Sequence, residues 1–425
     1  MNEGSTGFDV VVVGGGMTGA TLALATAGAG LRTALVEAQP LQAQLAPEFD
    51  GRASAIAFAN MRQWRALGVA PALEAEAQPI TSILVTDGPE PGASARAPWP
   101  VFLRFDAAEI ARPAFGSDPD APPEPLGWMV ENRRIRAALA DALTRSEATV
   151  FAPAEVAAVK AGVRSSEVRL RDGRVLCGRI VVGAEGRRST VRDCAGIGVN
   201  GWTYPQAGVV ATVALEAPHD GVAHEYFLPG GPLAILPLSQ QRASLVWTER
   251  EDRAQALVAA SREAFEAHLA RRFGSFLGRP RLLGDCHSFP LGLHMAETLI
   301  GARTALIGDA AHAIHPIAGQ GLNLGLKDAA ALAEVLVEAQ RLGEDIGSPA
   351  VLDRYARWRR FDAAALALAT DLFTRLFSND NPALRLVRGA GLALVNRIAP
   401  ARRAFMREAG GSLGDMPRLL RGEPL

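Results

Sequence analysis

The residues FDVVVVGGGMTG, numbers 8–19, decide the fold of this 425-residue chain. Phe8 to Val13 is a short, β-branched run of the kind that forms a buried parallel strand. The glycines end this strand, and an alanine- and leucine-rich segment then predicts a helix to about Gly30. Thr33 to Glu37 predicts the next strand. The chain therefore opens with a βαβ unit, which implies a parallel sheet covered by helices.

Three glycines in this stretch have the spacing G-x-G-x-x-G: Gly14, Gly16 and Gly19. The first permits a tight turn, the second lets the backbone approach a pyrophosphate, and the third lets the helix pack on the strand. Thr18 lies in the same turn. Glu37 ends the next strand, where a carboxylate accepts hydrogen bonds from a ribose diol and repels an additional 2′-phosphate. We predict a dinucleotide site here, although these residues do not distinguish FAD from NAD.

A second segment makes that distinction. His315 to Asp328 reads HPIAGQGLNLGLKD and follows a strand, Thr304 to Ile307, that ends in Gly308-Asp309. Its Gly-Gln-Gly turn opens a helix, so backbone N–H groups and the positive end of the helix dipole face outward. A reduced flavin is an anion that such a helix start would stabilise. Two nucleotide-binding elements this far apart in the sequence favour FAD over NAD. We expect Asp309 to bind hydroxyl groups of the FAD.

Composition excludes several other classes. The formal net charge is −1, so we expect no nucleic-acid partner. Three separated cysteines lack metal-ligand spacing, and His312 and His315 have no accompanying carboxylate or cysteine cluster, so we predict no metal site. The N-terminus lacks the pattern of a signal peptide. We therefore expect a cytoplasmic protein, with a peripheral position on the inner face of the membrane as one alternative.

The predicted fold class is α/β with an α+β insert. Helical patterns cover Ala53 to Leu67, Asn132 to Arg145 and Arg253 to Phe276, and Asp172-Gly173 marks a hairpin turn. We expect a Rossmann-like FAD-binding domain built from discontinuous segments, a β-sheet substrate domain and a C-terminal helical region. The expected boundaries are 1–75, 126–200 and 288–345 for the FAD domain, 76–125 and 201–287 for the substrate domain, and 346–425 for the helical region.

The sequence resembles the class A flavoprotein aromatic hydroxylases, which have the fold of para-hydroxybenzoate hydroxylase, and within them the ubiquinone-biosynthesis hydroxylases. The 315–328 segment matches that subfamily's signature, H-P-x-A-G-Q-G-x-N-x-G-x-x-D, at every fixed position. Further matches extend over most of the chain. They include Asp50-Gly51-Arg52, Glu131-Asn132, Phe227-Leu228-Pro229 and Gly308-Asp309 with Ala310, Ala311 and His312.

The resemblance implies roles for individual residues. Arg52 and Asn132 would line the FAD site, although Arg52 also fits a solvated surface charge and Asn132 also fits a helix N-cap. Gly308 and Asp309 would bind the ribose or pyrophosphate side of FAD. The loop facing the flavin ring would contain Pro316, Gly319, Gln320, Gly321, Leu322 and Asn323, with Pro316, Gly319 and Gln320 nearest the chemistry.

One position departs from the family. Where the family has an Asp-Gly pair that contacts FAD and NAD(P)H, this chain has Glu185-Gly186. The additional methylene preserves the charge and moves the carboxylate by about one bond length. We therefore expect Glu185 still to contribute to the FAD site. We expect the glutamate to affect contact with NAD(P)H more than it affects FAD binding.

The resemblance implies an enzyme in which NAD(P)H binds transiently and reduces FAD, and O2 then forms a C4a-hydroperoxide that hydroxylates an aromatic ring. The expected substrate is a polyprenylated phenol or quinol intermediate in ubiquinone biosynthesis. The alternatives are a hydroxylase of a soluble phenolic compound and a non-catalytic flavoprotein acting in a complex. The catalytic acid or base is not identifiable from the sequence.

The C-terminal region is basic. Between Arg354 and Arg421 there are thirteen arginines and five acidic residues. One interpretation is a helical layer packed on the FAD domain with its basic side in water. The other is a surface that contacts an anionic membrane or a ubiquinone-biosynthesis complex, because a polyprenylated substrate lies in the bilayer.

Overall fold

A computed structural model describes residues 6–46, 52–88, 92, 101–109, 124–228, 230–314, 320–360, 396–411 and 414–425. The strands are β1 (Thr6–Val13), β2 (Thr33–Val36), β3 (Ala53–Ala57), β4 (Gln78–Ile80), β5 (Ser82–Asp87), β6 (Val101–Asp106), β7 (Gly127–Glu131), β8 (Thr149–Phe151), β9 (Val156–Ala161), β10 (Ser166–Leu170), β11 (Val175–Gly183), β12 (Val199–Ala214), β13 (Val222–Leu228), β14 (Gly231–Leu238), β15 (Arg242–Arg250), β16 (Arg281–Ala296), β17 (Ile300–Gly301), β18 (Thr304–Leu306) and β19 (His312–Ala313).

The helices are α1 (Met17–Gly28), α2 (Phe58–Ala66), α3 (Pro71–Glu74), α4 (Asn132–Thr144), α5 (Thr190–Cys194), α6 (Glu251–Ala259), α7 (Arg262–Phe273), α8 (Gln320–Arg341), α9 (Ala399–Ala409) and α10 (Arg418–Arg421). Residues 349–360 are also helical. Short 3-10 turns occupy Leu41–Leu45, Ala107–Glu109 and Gly308–Ala310. The mixed α/β class expected from the sequence is confirmed.

The first sheet contains the predicted βαβ unit. Its strands follow the order β17-β18-β11-β1-β2-β8, and all neighbours except β17 and β18 run parallel. Val10 and Val12 point to a core shared with α1, α4 and α8, whereas Val11 and Val13 pack on the other face. Both faces are therefore buried, which explains the uninterrupted valine run. The predicted hairpin at Asp172-Gly173 joins β10 to β11.

The second sheet follows the order β19-β16-β12-β15-β14-β13-β5-β6 and is antiparallel except where β13 pairs with β5. One face packs against α6 and α7, with Leu245 and Trp247 against Phe265 and Phe273. β16 is continuous across residue 288, where we expected the boundary between the domains. Near its end, His294 and Met295 pair with β19 beside the Gly308 turn.

A small sheet, β3-β7-β4, lies between these two sheets. Met129 of β7 is fully buried and packs with Ala223 and Leu238 of the second sheet. The small sheet therefore joins the other face of the second sheet to the nucleotide-binding half of the protein.

Two helix predictions were wrong in part. Ala53 to Ala57 form strand β3 instead of the start of a helix, because they pair with β7 across a long sequence separation. Tertiary pairing overrides the helix propensity of this alanine-rich segment. The predicted helix from Arg253 to Phe276 is two helices, because Ala260 is extended and the Ser261 hydroxyl caps α7 by accepting the Ala264 N–H.

The basic C-terminal region is partly neutralised within the fold. Arg359 contacts the buried carboxylate of Asp328, and Arg402 binds Glu109. Other ion pairs of this region, among the residues that the structure describes, join Arg354 to Glu344, Arg357 to Asp353, and both Arg418 and Arg421 to Glu423. Within the described ranges, no helix has the length and apolar character needed to cross a bilayer.

Candidate active site

The glycine turn between β1 and α1 has different requirements at its three fixed positions. Gly14 has φ +103°, and a Cβ there would lie 2.5 Å from the carbonyl of Ala184. A Cβ on Gly19 would lie 2.0 Å from the carbonyl oxygen of Gly14. These two glycines are required by the fold itself. A Cβ on Gly16, in contrast, would meet no protein atom of the described chain within 4 Å, so the fold leaves open space over this residue.

That open space lies at the N-terminus of α1. Gly16 is the N-cap residue, no side chain caps the helix, and its first turn contains no acidic residue. The first-turn N–H groups and the positive end of the dipole thus remain suited to an anion. This is the geometry that the pyrophosphate of a dinucleotide requires.

Glu37 is held beside the same turn. Its carboxylate accepts the N–H of Gly15 at 2.6 Å and the N–H of Gln39 at 2.9 Å. The side chain remains partly exposed. Because each carboxylate oxygen has a second lone pair, Glu37 is oriented to accept ribose hydroxyls as well.

The two nucleotide elements, far apart in sequence, meet at Thr18. A Cβ on Gly308 would lie 3.3 Å from the Thr18 hydroxyl oxygen, and one on Gly325 would lie 2.9 Å from the same atom. The first turn of α1, the Gly308 turn and α8 are therefore in direct contact. Gly308 has φ +60°, a conformation that favours glycine.

The far end of the site is the start of α8. Asp309 is exposed next to the Gly308 turn, and Gln320, Gly321 and Leu322 are partly exposed. A Cβ on Gly321 would meet nothing in the described chain within 4 Å, as at Gly16. Pro316 and Gly319 lie outside the described residues, so their predicted place against the flavin remains a prediction.

The Asn323 side chain anchors the start of α8. Its oxygen accepts the N–H of Ala57 at 3.0 Å and the amide of Asn60 at 2.8 Å, and its own amide donates to the carbonyl of Ala55 at 2.9 Å. The side chain is buried. Asn323 therefore has a positioning role, because these hydrogen bonds hold the start of α8 beside β3.

A buried charge cluster supports the Gly308 turn from behind. Asp328 accepts the Gly308 N–H at 3.0 Å and contacts Arg359 Nε at 2.9 Å and His312 Nε2 at 2.7 Å. Burial opposes ionisation, but the charges of His312 and Arg359 hold the pKa of Asp328 below its ordinary value. Asp328 lies within the quoted signature, whereas no sequence signal identified Arg359 as its partner.

Arg52 and Asn132 flank β3 and β7. The Asn132 N–H donates to the Arg52 carbonyl at 2.9 Å, and its side-chain oxygen accepts the Ser54 hydroxyl at 2.6 Å. Asn132 is the first residue of α4 and is buried, so it is not the helix N-cap. The Arg52 guanidinium lies 4.9 Å from the ring centre of Phe289 on β16, where it links the nucleotide half to the second sheet.

Glu185 caps a helix in this chain. Its carboxylate binds the Ser189 hydroxyl and accepts the N–H of Thr190 at 3.1 Å, at the start of α5. Burial raises its pKa despite these bonds and the charge of Arg192. The longer glutamate thus reaches into α5, while the backbone of neighbouring Ala184 packs against Gly14.

Comparison with known proteins agrees with this geometry. A family model for an FAD binding domain matches residues 7–370. The ubiquinone hydroxylase UbiL of Rhodospirillum rubrum is 44% identical over 421 residues, which cover 98% of this chain and 93% of that protein. This chain belongs to the FAD-dependent ubiquinone hydroxylase family.

Other members and neighbours of this hydroxylase support the assignment. The 3-demethoxyubiquinol 3-hydroxylase of Escherichia coli K12 is 35% identical over 407 residues, which cover 95% of this chain and 98% of that one. The crystal structure of p-nitrophenol 4-monooxygenase PnpA from Pseudomonas putida shares the fold, with a TM-score of 0.77 at 21% identity over 96% of this chain and all of that chain.

The hydroxylase is therefore an FAD-dependent aromatic monooxygenase, and NAD(P)H is the co-substrate typical of its family. The residues present fit the cofactor. Among the described residues, nothing fills the space over Gly16 and Gly321 at two helix N-termini, and the accessible carboxylates of Glu37 and Asp309 would be available to hydroxyl groups of the cofactor.

Proposed function

We propose that this hydroxylase oxidises the aromatic ring of a polyprenylated phenol or quinol on the route to ubiquinone, using NAD(P)H and O2. The observation that carries the proposal is the 44% identity with a ubiquinone hydroxylase along 98% of this chain. Similarity of this extent includes both the nucleotide-binding half and the second sheet, which would hold the substrate.

In this proposal, each part of the site has a task. Bound FAD supplies the redox chemistry, since it accepts electrons from NAD(P)H and activates O2 for transfer to the ring. Gly14, Gly16 and Glu37 bind the adenosine and pyrophosphate side. Asp309 binds sugar-chain hydroxyls, and the N-terminus of α8 stabilises negative charge on the flavin ring. Asn323 and Asp328 keep that helix start and the Gly308 turn in place.

The sequence contains one G-x-G-x-x-G motif of this kind, so we infer that NAD(P)H binds transiently and leaves after reducing FAD. Glu185 is part of this proposal as a support for the turn that packs against Gly14. Its bonds to α5 favour such a supporting role over direct contact with the pyridine nucleotide.

We also propose that the substrate is met at a membrane surface, because a polyprenyl chain partitions into the bilayer. The arginine surplus of the C-terminal region supports this, although several of those arginines form ion pairs within the fold. Co-sedimentation of the FAD-loaded protein with anionic vesicles, compared with neutral vesicles, tests the point. Equal recovery with both vesicle types would contradict it.

The decisive experiment is mass spectrometry of quinone intermediates in a strain that lacks the gene. We expect loss of ubiquinone and accumulation of a polyprenylated intermediate that lacks one ring hydroxyl, both reversed by the wild-type gene. Normal ubiquinone without any intermediate would contradict the proposal. The mass of the intermediate and its fragments also identify the ring position.

Purified protein separates the two other functions considered from the sequence. NAD(P)H oxidation stimulated by a soluble phenol, together with normal ubiquinone in the deletion strain, would indicate a hydroxylase of soluble compounds. A protein that retains FAD but shows no stimulation by any phenol would indicate a non-catalytic flavoprotein.

A further inference from the structure

One carboxyl group on the second sheet has no task in the reaction described so far. Glu225 lies in the middle of β13, which β14 flanks on one side and β5 on the other. In register it pairs with Ala234 of β14 and with Val85 of β5, and both of these are buried. A glutamate between two buried apolar neighbours is unusual in a sheet interior.

The direction of the Glu225 side chain follows from the alternation along β13. Tyr226 and Leu228 pack on the face that α6 and α7 cover. Ala223 packs on the opposite face, against Met129 of the small sheet. Because side chains two residues apart lie on one face of a strand, Glu225 shares the face of Ala223. It therefore points toward the nucleotide-binding half.

This face of the second sheet is turned toward the nucleotide-binding half, because Met129 of the small sheet packs on it. Phe289 of β16 pairs with Gly208 of β12, which places its ring on the same face as Glu225, and Arg52 from the nucleotide half lies over that ring. Three strands separate Phe289 from β13, so this face extends from β16 to Glu225. A substrate ring that meets a flavin bound along α1 and α8 would lie against this face, and Glu225 is a carboxyl group on it.

Glu225 is only partly accessible and lies between the buried apolar residues Ala234 and Val85. Within the described chain, no hydrogen bond or ion pair engages its carboxyl group, and the residue retains some accessible surface. Burial nevertheless raises its pKa to about 7. A carboxyl group without a partner among apolar neighbours is costly unless a ligand meets it.

We propose that Glu225 lines the substrate cavity and accepts the hydrogen bond of the substrate's ring hydroxyl, which selects phenols and removes their proton during oxygen transfer. The inference rests on the proposed function, because it assigns a residue to the same aromatic substrate. Glu225 is then a catalytic residue in contact with the reacting molecule.

The proton transfer balances without another reactant. The O–H bond of the ring hydroxyl breaks, the proton passes to a carboxylate oxygen of Glu225, and the electron pair remains on the ring oxygen. This raises the electron density at the ring carbons ortho and para to the hydroxyl, which favours attack on the electrophilic oxygen. As the ring regains aromaticity, its C–H proton leaves to water and Glu225 returns its proton to the ring oxygen.

Other charged groups near Glu225 bear on its titration. On the flanking strands, Asp87 of β5 lies on the same face, opposite Phe227, whereas the β14 sequence contains no titratable residue. On the small sheet, Glu131 is bound by Arg242 and Arg133. The pH profile of a Glu225 variant must therefore be compared with the wild-type pH profile, because these neighbouring groups affect both.

The test uses FAD-loaded protein with 2-geranylphenol and its O-methyl ether as probes. In wild type we expect kcat for the phenol to rise with pH through about 7, because the ionised carboxylate is the acceptor. Glu225→Gln should remove this rise of kcat with pH and lower kcat about 10²-fold at pH 8, with a smaller change in KM. Glu225→Ala should bind the phenol and the ether with equal affinity.

Two controls separate this role from a structural one. Tyr226→Phe removes a hydroxyl from the adjacent residue on the opposite face and should keep the wild-type pH profile. Glu167→Gln removes an exposed carboxyl group on β10 and should also behave as wild type. FAD content and thermal unfolding are measured for all variants, so that a folding defect is recognised.

The outcomes distinguish this inference from the proposed function. Glu225→Gln with wild-type rates and pH profile overturns the inference, as does a wild-type protein that binds neither probe. If the deletion strain accumulates an intermediate and both Glu225 variants restore ubiquinone fully, the inference fails and the function stands. If ubiquinone stays normal but Glu225 still controls the phenol profile, the function fails and the inference holds for another phenol.

Discussion

The side-chain oxygen of Asn323 accepts a hydrogen bond from the backbone N–H of Ala57 at 3.0 Å. This bond connects the first turn of α8 to the end of β3, two segments that are distant in sequence. The bond therefore determines where the positive end of α8 lies, which is the end that we propose faces the flavin. The geometry of the cofactor site thus depends on a contact with the small sheet.

Replacement of Asn323 by alanine should destabilise the protein and weaken FAD binding. The substitution leaves the Ala57 N–H and the Ala55 carbonyl without their partner, which costs about 2–4 kcal/mol in total. The midpoint of thermal unfolding and the temperature of flavin release, followed by fluorescence, report the two effects. Asn200→Ala, at an exposed position of β12, is the matched control. Equal flavin-release temperatures in both variants would refute this role.

Asp328→Asn should cost about 3–5 kcal/mol of unfolding free energy at pH 7, because it leaves the buried Arg359 without its counter-charge. The pKa of Asp328 is lower in the folded state, so its contribution is present above its ordinary value of 3.8 and is lost as pH falls below it. Urea unfolding at several pH values should show a difference that is constant from pH 7 to 5 and shrinks below about 4.

A second substitution identifies the cause of that loss. The double variant with Arg359→Met lacks the buried guanidinium as well as the carboxylate, so most of the lost stability should return. A double variant as unstable as the sum of the two single variants would show that charge pairing is not the reason.

Gly16→Ala should fold normally and bind FAD at least tenfold more weakly. A Cβ on Gly16 meets nothing in the described chain, so the substitution affects a ligand and not the fold. Gly28→Ala is the matched control, because it lies at the other end of α1 with equally open surroundings. Fluorescence titration of the apoprotein with FAD measures both affinities. Unchanged affinity in Gly16→Ala would exclude close approach of the cofactor at this residue.

Glu225→Gln should stabilise the protein at pH 8 and have little effect at pH 4. Burial raises the Glu225 pKa to about 7 from the ordinary value of 4.5, so the neutral form supports the fold below 4.5 and this support is lost as pH rises through about 7. The gain at pH 8 is at most about 3 kcal/mol. Urea unfolding of both proteins across this pH range measures it. A gain that is independent of pH would mean that Glu225 does not titrate in this window.

The predictable parts of the fold were those encoded by neighbouring residues. The run from Phe8 to Gly19 contains a buried strand, a tight turn and a helix start in sequence order, and each has a local physical cause. Gly14 has the positive φ that the tight turn needs, and Gly19 packs on the Gly14 carbonyl within the same unit, which is why the motif predicted the turn correctly. The close approach of Ala184 to Gly14 comes from a distant segment and has no local signal.

The parts that could not be predicted depend on contacts across the chain. Ala53 to Ala57 lack any periodicity that distinguishes a strand, and only β7 makes them one. Arg359 reaches Asp328 from a different helical segment, and no local sequence pattern indicates such an ion pair. The burial of Glu225 could not be predicted from the sequence either, because it depends on which strands flank β13. The placement of Pro316 and Gly319 stays a prediction.

The pairing of β16 with β19 has a consequence for motion. Backbone hydrogen bonds run from the second sheet through His294 and Met295 to His312 and Ala313, and the His312 side chain contacts Asp328 beneath the Gly308 turn. Along this route the described chain connects the two halves without a flexible linker. A displacement of the second sheet must therefore shift the turn that carries Asp309. We expect amide protons of β16 and β19 to exchange as one cooperative unit, and FAD binding to slow the exchange of both strands together.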